Sequence, residues 1–289
     1  MQIDINSRLI ALIGKPLGQS FAARMQNAAY QAAGFNMVYC YCEADEHLKE
    51  ILDGIRYITT FRGCACTKPN KVEAMKYIDE FDDLCKKMGS TNTVVKTPEG
   101  KLKAYNTDGY GALRSLKEEG CKFVGETMFV FGAGGTGRSV CFELANAGSK
   151  KIYISSRSDA CEKLSEEINK FYPGVCVPIR AADKENVKKA LQETDVVLNL
   201  SGAGMRGHED DTCVEKEFIL PQHVCFDATY NPIETRFLRE AKERGAKKTI
   251  PGLDMSLYQG ARQIEIWAGV NEAPVETMRK TLQDIMAGK

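Results

Sequence analysis

The sequence predicts an α/β fold with a dinucleotide-binding unit in its second half. Three observations predict it. Strand-like and helix-like segments alternate along the chain, a glycine-rich turn joins a strand to a helix near the middle, and further strand–helix pairs follow that turn.

In chain order, Arg8–Ile13 reads as a buried strand closed by Gly14-Lys15-Pro16-Leu17-Gly18. A helix from Phe21 to Ala33, a strand from Asn36 to Cys42, a helix from Glu46 to Ile55 and a strand from Gly63 to Thr67 follow. Helix recurs after Pro69, which suits a first helical position. Two short strands, Thr93–Lys96 and Leu102–Tyr105, flank Thr97-Pro98-Glu99-Gly100, a hairpin turn. The alternation predicts a mostly parallel sheet.

The organising stretch is Thr127 to Arg138. Its apolar run ends in Gly132-Ala133-Gly134-Gly135-Thr136-Gly137, and Val140, Leu144 and Ala147 then recur at helical spacing. Gly132, Gly134 and Gly137 form Gly-x-Gly-x-x-Gly. The first glycine permits the turn, the second lets a pyrophosphate approach the backbone, and the third lets helix and strand pack closely. Phosphates would sit at the helix N-terminus, against unpaired N–H groups and the positive end of the dipole. Further strands are predicted at Lys151–Ser155, Val175–Ile179, Asp195–Leu200, His223–Asp227 and Thr249–Ile250. A helix spans Glu234–Arg244, and two final helices run from Met255 to Trp267 and from Val275 to Met286.

Composition narrows the function. Lys+Arg and Asp+Glu both total 39 in 289 residues, so no basic excess points to nucleic acid or an anionic membrane. No apolar run approaches the roughly 18 residues of a membrane span, and the N-terminus lacks a signal core. The expectation is a soluble cytoplasmic protein with a small-molecule substrate. A homodimer is compatible with the sequence, which does not fix oligomeric state. Eleven cysteines, none spaced Cys-x-x-Cys, and three histidines give no zinc pattern, so no metal is expected. The thiols read as small buried hydrophobes. Cys40/Cys42 and Cys64/Cys66 should each point to one sheet face.

Three polar clusters fall at strand ends, where α/β sheets place ligands. They are Gly18-Gln19-Ser20, Thr67-Lys68-Pro69-Asn70-Lys71, and Ser90-Thr91-Asn92-Thr93 with Tyr105-Asn106-Thr107-Asp108-Gly109. Each alone could be a turn or a cap. Together, hydroxyls and amides with one lysine and one aspartate suit a small polyhydroxylated substrate. About 20 residues beyond the glycines, where an adenosine ribose is read, stands Ser156-Arg157-Ser158-Asp159. An arginine there neutralises the 2′-phosphate of NADP, and an acid bonds the ribose of NAD. A carboxylate beside a 2′-phosphate is repulsive, whereas an arginine can swing to solvent. That asymmetry favours NAD, with NADP as the alternative.

These residues resemble the shikimate dehydrogenases, most closely the quinate/shikimate dehydrogenase branch, over nearly the whole chain. Gly14-Lys15-Pro16-Leu17-x-x-Ser20 with Met25-Gln26-Asn27 resembles the N-terminal substrate motif, and Pro69-Asn70-Lys71 the segment carrying the catalytic lysine. Asn92-Thr93 and Asn106-Thr107-Asp108-Gly109 match the next two motifs. Asn199-x-Ser201-x-x-Gly204-Met205, Asp227-x-x-Tyr230-x-Pro232-x-x-Thr235 and Gly252-x-x-Met255-x-x-x-Gln259 complete the set.

The resemblance implies an N-terminal α/β substrate domain (1–109), a Rossmann NAD(P)-binding domain (110–254) and C-terminal helices (255–289) that return to the first domain. It implies reversible hydride transfer between NAD(P) and a ring hydroxyl of shikimate or quinate. Lys71 and Asp108 become the proton-transfer pair. Ser20, Thr67, Asn92, Thr107, Tyr230 and Gln259 fall toward substrate. Ser201, Tyr230, Gly252 and Met255 join the glycine turn and residues 156–159 toward the cofactor. Ala22 and Ala23 replace the family's second serine and following proline, Ala65-Cys66-Thr67 replaces Asn-Val-Thr, and Asp254 replaces a glycine. Losing a hydrogen bond to a carboxylate costs about 1.5–3 kcal/mol, so a paralogue acting on another cyclic hydroxy acid stays open. A non-catalytic nucleotide sensor is the other alternative, and it predicts loss of Lys71 or Asp108.

Overall fold

The uncharged run after Arg8 makes β1 (Arg8–Gly14) a strand whose centre, Ile10 to Ile13, is buried. In the computed structural model, which describes residues 3–18 and 20–288, β1 is followed by α1 (Ala22–Ala33), β2 (Met37–Glu43), α2 (Leu48–Tyr57) and β3 (Phe61–Cys66). Next come α3 (Asn70–Glu73), a 3₁₀ turn (Ala74–Tyr77), β4 (Glu80–Phe81), α4 (Asp83–Met88), β5 (Thr93–Lys96) and β6 (Leu102–Tyr105). These strands form a sheet of order β2-β1-β3-β5-β6-β4. Its β1, β2 and β3 are parallel, but β5 runs antiparallel to both β3 and β6. The sheet is therefore mixed, because the connection from β3 brings β5 back against it, and the hairpin at 97–100 then returns β6 to the direction of β1–β3.

The second sheet is wholly parallel. It follows α5 (Asp108–Glu118) and contains β7 (Thr127–Phe131), β8 (Lys151–Ser156), β9 (Cys176–Arg180), β10 (Val196–Asn199), β11 (Val224–Asp227) and β12 (Lys248–Pro251). The intervening helices are α6 (Gly135–Asn146), α7 (Ala160–Asn169), α8 (Lys184–Gln192) and α9 (Arg236–Glu243). The order β12-β11-β10-β7-β8-β9 is the doubly wound order, with its topological switch at β7 and β10. α10 (Leu253–Ala268) and α11 (Val275–Met286) end the chain.

The chain forms two compact units, one of residues up to Thr107 together with those from Leu257 onward, the other Asp108–Ser256. Each has its own core. In the first, Leu48, Leu52 and Ile55 of α2 pack on Ala11, Ile13, Cys64 and Cys66 of the sheet. In the second, Phe129, Val197 and Cys225 of the central strands meet Val187, Leu191, Phe237 and Ala241 of the helices. Cys40, Ala11 and Cys64 share one cross-strand row, and Cys42, Ile13 and Cys66 the next. The predicted one-face placement of each cysteine pair follows from that register, and all eleven thiols are free. Among the described residues no helix is long and apolar enough to cross a membrane.

Two segments differ from the sequence expectation. The helix after Pro69 lasts one turn before tightening to 3₁₀, and the chain then gives the edge strand β4. β4 pairs only Glu80 with Lys103 and Phe81 with Ala104, too short a run to leave a periodic signal. Long-range bonds fix it. Asp79 N–H donates to the Leu102 carbonyl (3.1 Å), and Leu102 N–H donates to Asp79 Oδ2 (2.7 Å).

His223, just before β11, is fully buried. Its Nδ1 accepts from Leu220 N–H (3.1 Å), which leaves Nε2–H to donate to the Leu191 carbonyl (2.8 Å). Burial holds its pKa below the ordinary 6.5, opposed by the Leu191 carbonyl and the Asp195 charge. A base with a depressed folded pKa contributes stability above the unfolded value and loses it as pH falls toward the folded one. The urea midpoint should therefore decline below pH ~6.5, and His223→Gln should flatten that decline. An equally steep decline in the variant would assign the titration to another group.

Candidate active site

The C-terminal ends of β1 and β3 meet closely. A Cβ at Gly14 would lie 2.3 Å from Thr67 Cγ2 and 2.6 Å from the Lys68 carbonyl oxygen, so only glycine lets the two strand ends converge. Lys15 N–H donates to the Lys68 carbonyl (3.0 Å) and Thr67 N–H to the Ile13 carbonyl (2.9 Å). This closure places the Ser20 loop and the Thr67–Lys71 segment at one edge of the first sheet. Gln19 lies outside the described residues. Ser20 Oγ accepts from Ala22 N–H (3.3 Å) at the start of α1. The Tyr41 hydroxyl, from the end of β2, donates to the Ser20 carbonyl (2.6 Å) and accepts from Ala23 N–H (3.2 Å).

Lys71 is held through its neighbours. Buried Asn70 donates from Nδ2 to the Ala44 carbonyl (2.9 Å), and the Lys71 carbonyl accepts from Thr91 N–H (2.9 Å). The lysine segment is thus tied to the loop that carries Asn92. Asn92 is buried in a chain of amides and hydroxyls. Gln26 Nε2 of α1 donates to Gln263 Oε1 of α10 (3.3 Å), and Gln263 Nε2 donates to Thr93 Oγ1 (3.0 Å). Thr93 Oγ1 donates to Asn92 Oδ1 (2.7 Å), which also takes Thr107 N–H (2.9 Å), while Asn92 Nδ2 donates to Thr107 Oγ1 (3.0 Å). The next residue is Asp108.

Asp108 opens α5, where a carboxylate complements the helix dipole. It is 9% exposed. Its neighbour Gly109 donates N–H to Ser139 Oγ of α6 (2.8 Å), and a Cβ there would meet the Ser139 carbonyl oxygen at 2.5 Å. Close α5–α6 packing within the second unit therefore fixes the start of α5 against the helix that follows the glycine turn.

That turn behaves as its sequence requires. Gly132 has φ 111°, open only to glycine, and a Cβ on Gly137 would lie 1.9 Å from the Gly132 carbonyl oxygen. A Cβ on Gly134 or Gly135 would meet nothing within 4 Å. Both glycines are exposed, and no side chain caps α6. Bare backbone at a helix start, with open space before it, fits a dinucleotide pyrophosphate, with Ala133 and Thr136 completing the turn.

At the tip of β8, Arg157 and Ser158 are exposed, and Ser156 Oγ donates to the Ser158 carbonyl (2.7 Å). Asp159 is paired with Lys163 (2.8 Å), which holds its carboxyl below the usual range. Ser201 Oγ, at the end of β10, donates to Asn199 Oδ1 (2.7 Å). Asn199 Nδ2 and Thr235 Oγ1 both donate to buried Asp227 (2.9 and 2.7 Å). Burial pushes the Asp227 carboxyl up, against these bonds. Tyr230 is half-buried, and burial raises its phenol pKa. Gly252 packs on the Ala228 carbonyl oxygen, 2.3 Å from a would-be Cβ, and its own carbonyl accepts Met255 N–H (3.1 Å).

Within the first unit the structure gathers Ser20, Thr67 and Lys71 at one sheet edge and joins Asn92 to Thr107. Gln259 is half-buried on α10, one turn before Gln263. Two positioning residues escape sequence reasoning. Gln263 sits four residues after Gln259, hence on the same helix face, a spacing that signals it. Tyr41 carries no such signal, because its bonds cross from β2 to the Ser20 loop.

The chain is similar to known proteins over nearly its whole length. Residues 12–94 match the family model "Shikimate dehydrogenase substrate binding domain", 252–283 "Shikimate 5'-dehydrogenase C-terminal domain", and 128–220 "Saccharopine dehydrogenase NADP binding domain". The shikimate dehydrogenase (NADP(+)) of Alkaliphilus oremlandii is 36% identical over 283 residues, covering 97% of this chain and 98% of that protein. The shikimate 5-dehydrogenase of Listeria monocytogenes, solved with shikimate and NAD, has a TM-score of 0.93 at 34% identity over 98% of both chains. The quinate dehydrogenase of Corynebacterium glutamicum, solved with NAD, has a TM-score of 0.88 at 27% identity, covering 96% of this chain and 99% of that one.

Gly137→Ala places a methyl group against the Gly132 carbonyl and must open the turn. Nucleotide Kd should rise by about tenfold or more, equivalent to ~1.4 kcal/mol, and the urea midpoint should fall, because the clash is with backbone rather than with a flexible side chain. Unchanged Kd by calorimetry would remove the turn from nucleotide binding.

Proposed function

The chain belongs to the shikimate dehydrogenase family, and from that premise we propose that it transfers a hydride reversibly between a nicotinamide dinucleotide and a ring hydroxyl of shikimate. Quinate is the second acid to test. The observation that carries this reading is the near full-length match to relatives named shikimate dehydrogenase, in a chain that retains Lys71 and Asp108. Retention of both disfavours a non-catalytic sensor.

The proposed chemistry is general acid–base catalysis of an alcohol–ketone interconversion. When bound, the nicotinamide accepts or supplies the hydride. Lys71 Nζ takes the proton of the reacting hydroxyl in one direction and returns it in the other, and the Asp108 carboxylate stabilises the charged lysine. Thr67, Asn92, Thr107 and Gln259 orient ring hydroxyls, with Tyr230 as a further substrate contact. Ser20 holds the acid group. With alanine at 22, Ser20 is the one motif hydroxyl left for that task, so the carboxylate is held by fewer bonds than in the family pattern.

For the cofactor we propose that NADP is used at least as well as NAD. Asp159 alone would repel a 2′-phosphate, but its pairing with Lys163 offsets that charge. Arg157 is exposed at the tip of β8 and makes no ion pair among the described residues. The names of the curated relatives point the same way. Lys163, one turn into α7, thus shifts a balance that the four residues 156–159 leave toward NAD. Ser201, Gly252 and Met255 are proposed to line the nicotinamide side of the same site.

Lys71→Ala and Asp108→Asn should each lower kcat by about 10²–10⁴, the usual range for a general acid or base, with nucleotide Kd nearly unchanged. Wild-type turnover of shikimate by either variant would overturn the assignment. For the cofactor, kcat/KM for NADP should equal or exceed that for NAD, and Lys163→Ala should move the ratio toward NAD. An enzyme favouring NAD by about tenfold, ~1.4 kcal/mol, would return Asp159 to the dominant role.

A further inference from the structure

At the opposite edge of the first sheet from Ser20, Thr67 and Lys71, the N-terminal ends of β1, β2 and β3 open onto a cavity of about 670 Å³. Arg8, Met37 and Phe61, the first residues of those strands, line it together with Arg62, Lys96 and Trp267. None of its lining residues is acidic. Asp4 lies close by in sequence to Asn6, but its carboxylate engages Asn36 Nδ2 (3.0 Å) and Asn6 N–H (2.8 Å) and does not line the cavity.

The three cations are bonded only to backbone carbonyls. Lys96 Nζ donates to the carbonyls of Ile55 (3.1 Å) and Ile58 (2.6 Å) at the C-terminal end of α2. Arg62 donates from Nε to the Trp267 carbonyl and from Nη1 to the Lys96 carbonyl, both at 2.7 Å. Arg8 donates from Nη1 to the Thr59 carbonyl (3.1 Å). None of the three forms an ion pair with a carboxylate among the described residues.

The plain reading is that Lys96 and Arg62 cap the C-termini of α2 and α10. That accounts for part of the charge. Two helix ends contribute roughly −0.5 each, and the Asp4 carboxylate behind the lining residues Asn6 and Asn36 a further −1, against three full positive charges, which leaves about +1 around one concave space. Mutual repulsion shows in the same cluster, where burial and the neighbouring guanidiniums lower the affinity of Arg62 and Lys96 for their protons. Arg62 is half-buried and held by two bonds, so it cannot relieve the repulsion by swinging into water, as a surface arginine would.

We propose that this cavity is an anion-binding site, separate from the substrate edge, for a small organic anion carrying at least two carboxylate or phosphate groups. Arg8, Arg62 and Lys96 would neutralise the acid groups, with Arg62 Nη2 and the remaining Arg8 donors available for charge-assisted bonds. The partly exposed Phe61 would pack on the carbon skeleton, with buried Met37 and Trp267 forming the wall behind it.

Trp267 is the single tryptophan of the chain and is buried behind the cavity wall, so its fluorescence follows changes in the packing of that wall, and calorimetry measures binding itself. Citrate and pyrophosphate would be titrated into the intact protein at constant ionic strength set with sodium chloride. A saturable fluorescence change is expected with at least one of them, and the responder tells carboxylate from phosphate recognition. Pyrophosphate can also enter the glycine turn, so Arg8→Gln and Lys96→Met assign the response. Apparent affinity should fall by about tenfold or more in at least one variant, as expected for loss of a charge-assisted bond. Absence of saturable binding of both anions, by calorimetry as well as by fluorescence, would overturn the proposal, as would unaltered affinity in both folded variants.

Discussion

The buried run from Gln26 through Gln263, Thr93 and Asn92 to Thr107 is the constraint on which the first unit depends. Gln26, Thr93, Asn92, Thr107 and Gln263 are each no more than 3% exposed. A buried amide or hydroxyl that loses its partner costs about 1–3 kcal/mol, so each member holds the next in one orientation. Directional bonds do what apolar packing does less sharply. They fix rotation as well as position, for α1, α10, β5 and the residue before Asp108 together. The Gln26 Oε1 atom finds no partner among the described residues, which marks the α1 end as the less satisfied one.

A second constraint is steric and falls on glycines. Gly14, Gly109 and Gly137 each stand where a Cβ would overlap a neighbouring carbonyl oxygen. The first joins β1 to the end of β3, the second seats α5 on α6, and the third closes the glycine turn. Backbone-to-backbone approach at these points leaves little freedom in where Lys71, Asp108 and the start of α6 can lie. Packing density transmits that rigidity. Functional groups here ride on short loops, yet the loops inherit their precision from the strands and helices that meet at these glycines.

α10 connects the two edges of the first unit. Gln263 reaches Thr93 beside Asn92, and Trp267, one turn later, donates from Nε1 to the Val94 carbonyl (3.0 Å) and backs the opposite cavity. Its last carbonyls hold Arg62. One helix therefore bonds β5 at two successive turns, through Gln263 and Trp267, an arrangement that a hydropathy pattern alone would not reveal.

The sequence by itself determined the α/β class, the order of strands and helices, the hairpin at 97–100 and the glycine turn. Each of these rests on local signals such as alternation, helical spacing, turn residues and glycines at fixed offsets. The motif order also carried the family resemblance. Tertiary structure decided what depends on residues distant in sequence. The mixed character of the first sheet and the two-residue strand β4 come from long-range pairing. Gln263 and Tyr41 act through bonds to segments 170 and 21 residues away. The pairing of Asp159 with Lys163, legible only as an i,i+4 spacing, needed the helix to be in place before its effect on a 2′-phosphate could be judged. The unpaired cations at the far edge are scattered over residues 8, 62 and 96. Only the parallel register of β1 and β3 and the return of the chain through β5 bring them to one cavity, because charge repulsion between distant residues leaves no local pattern.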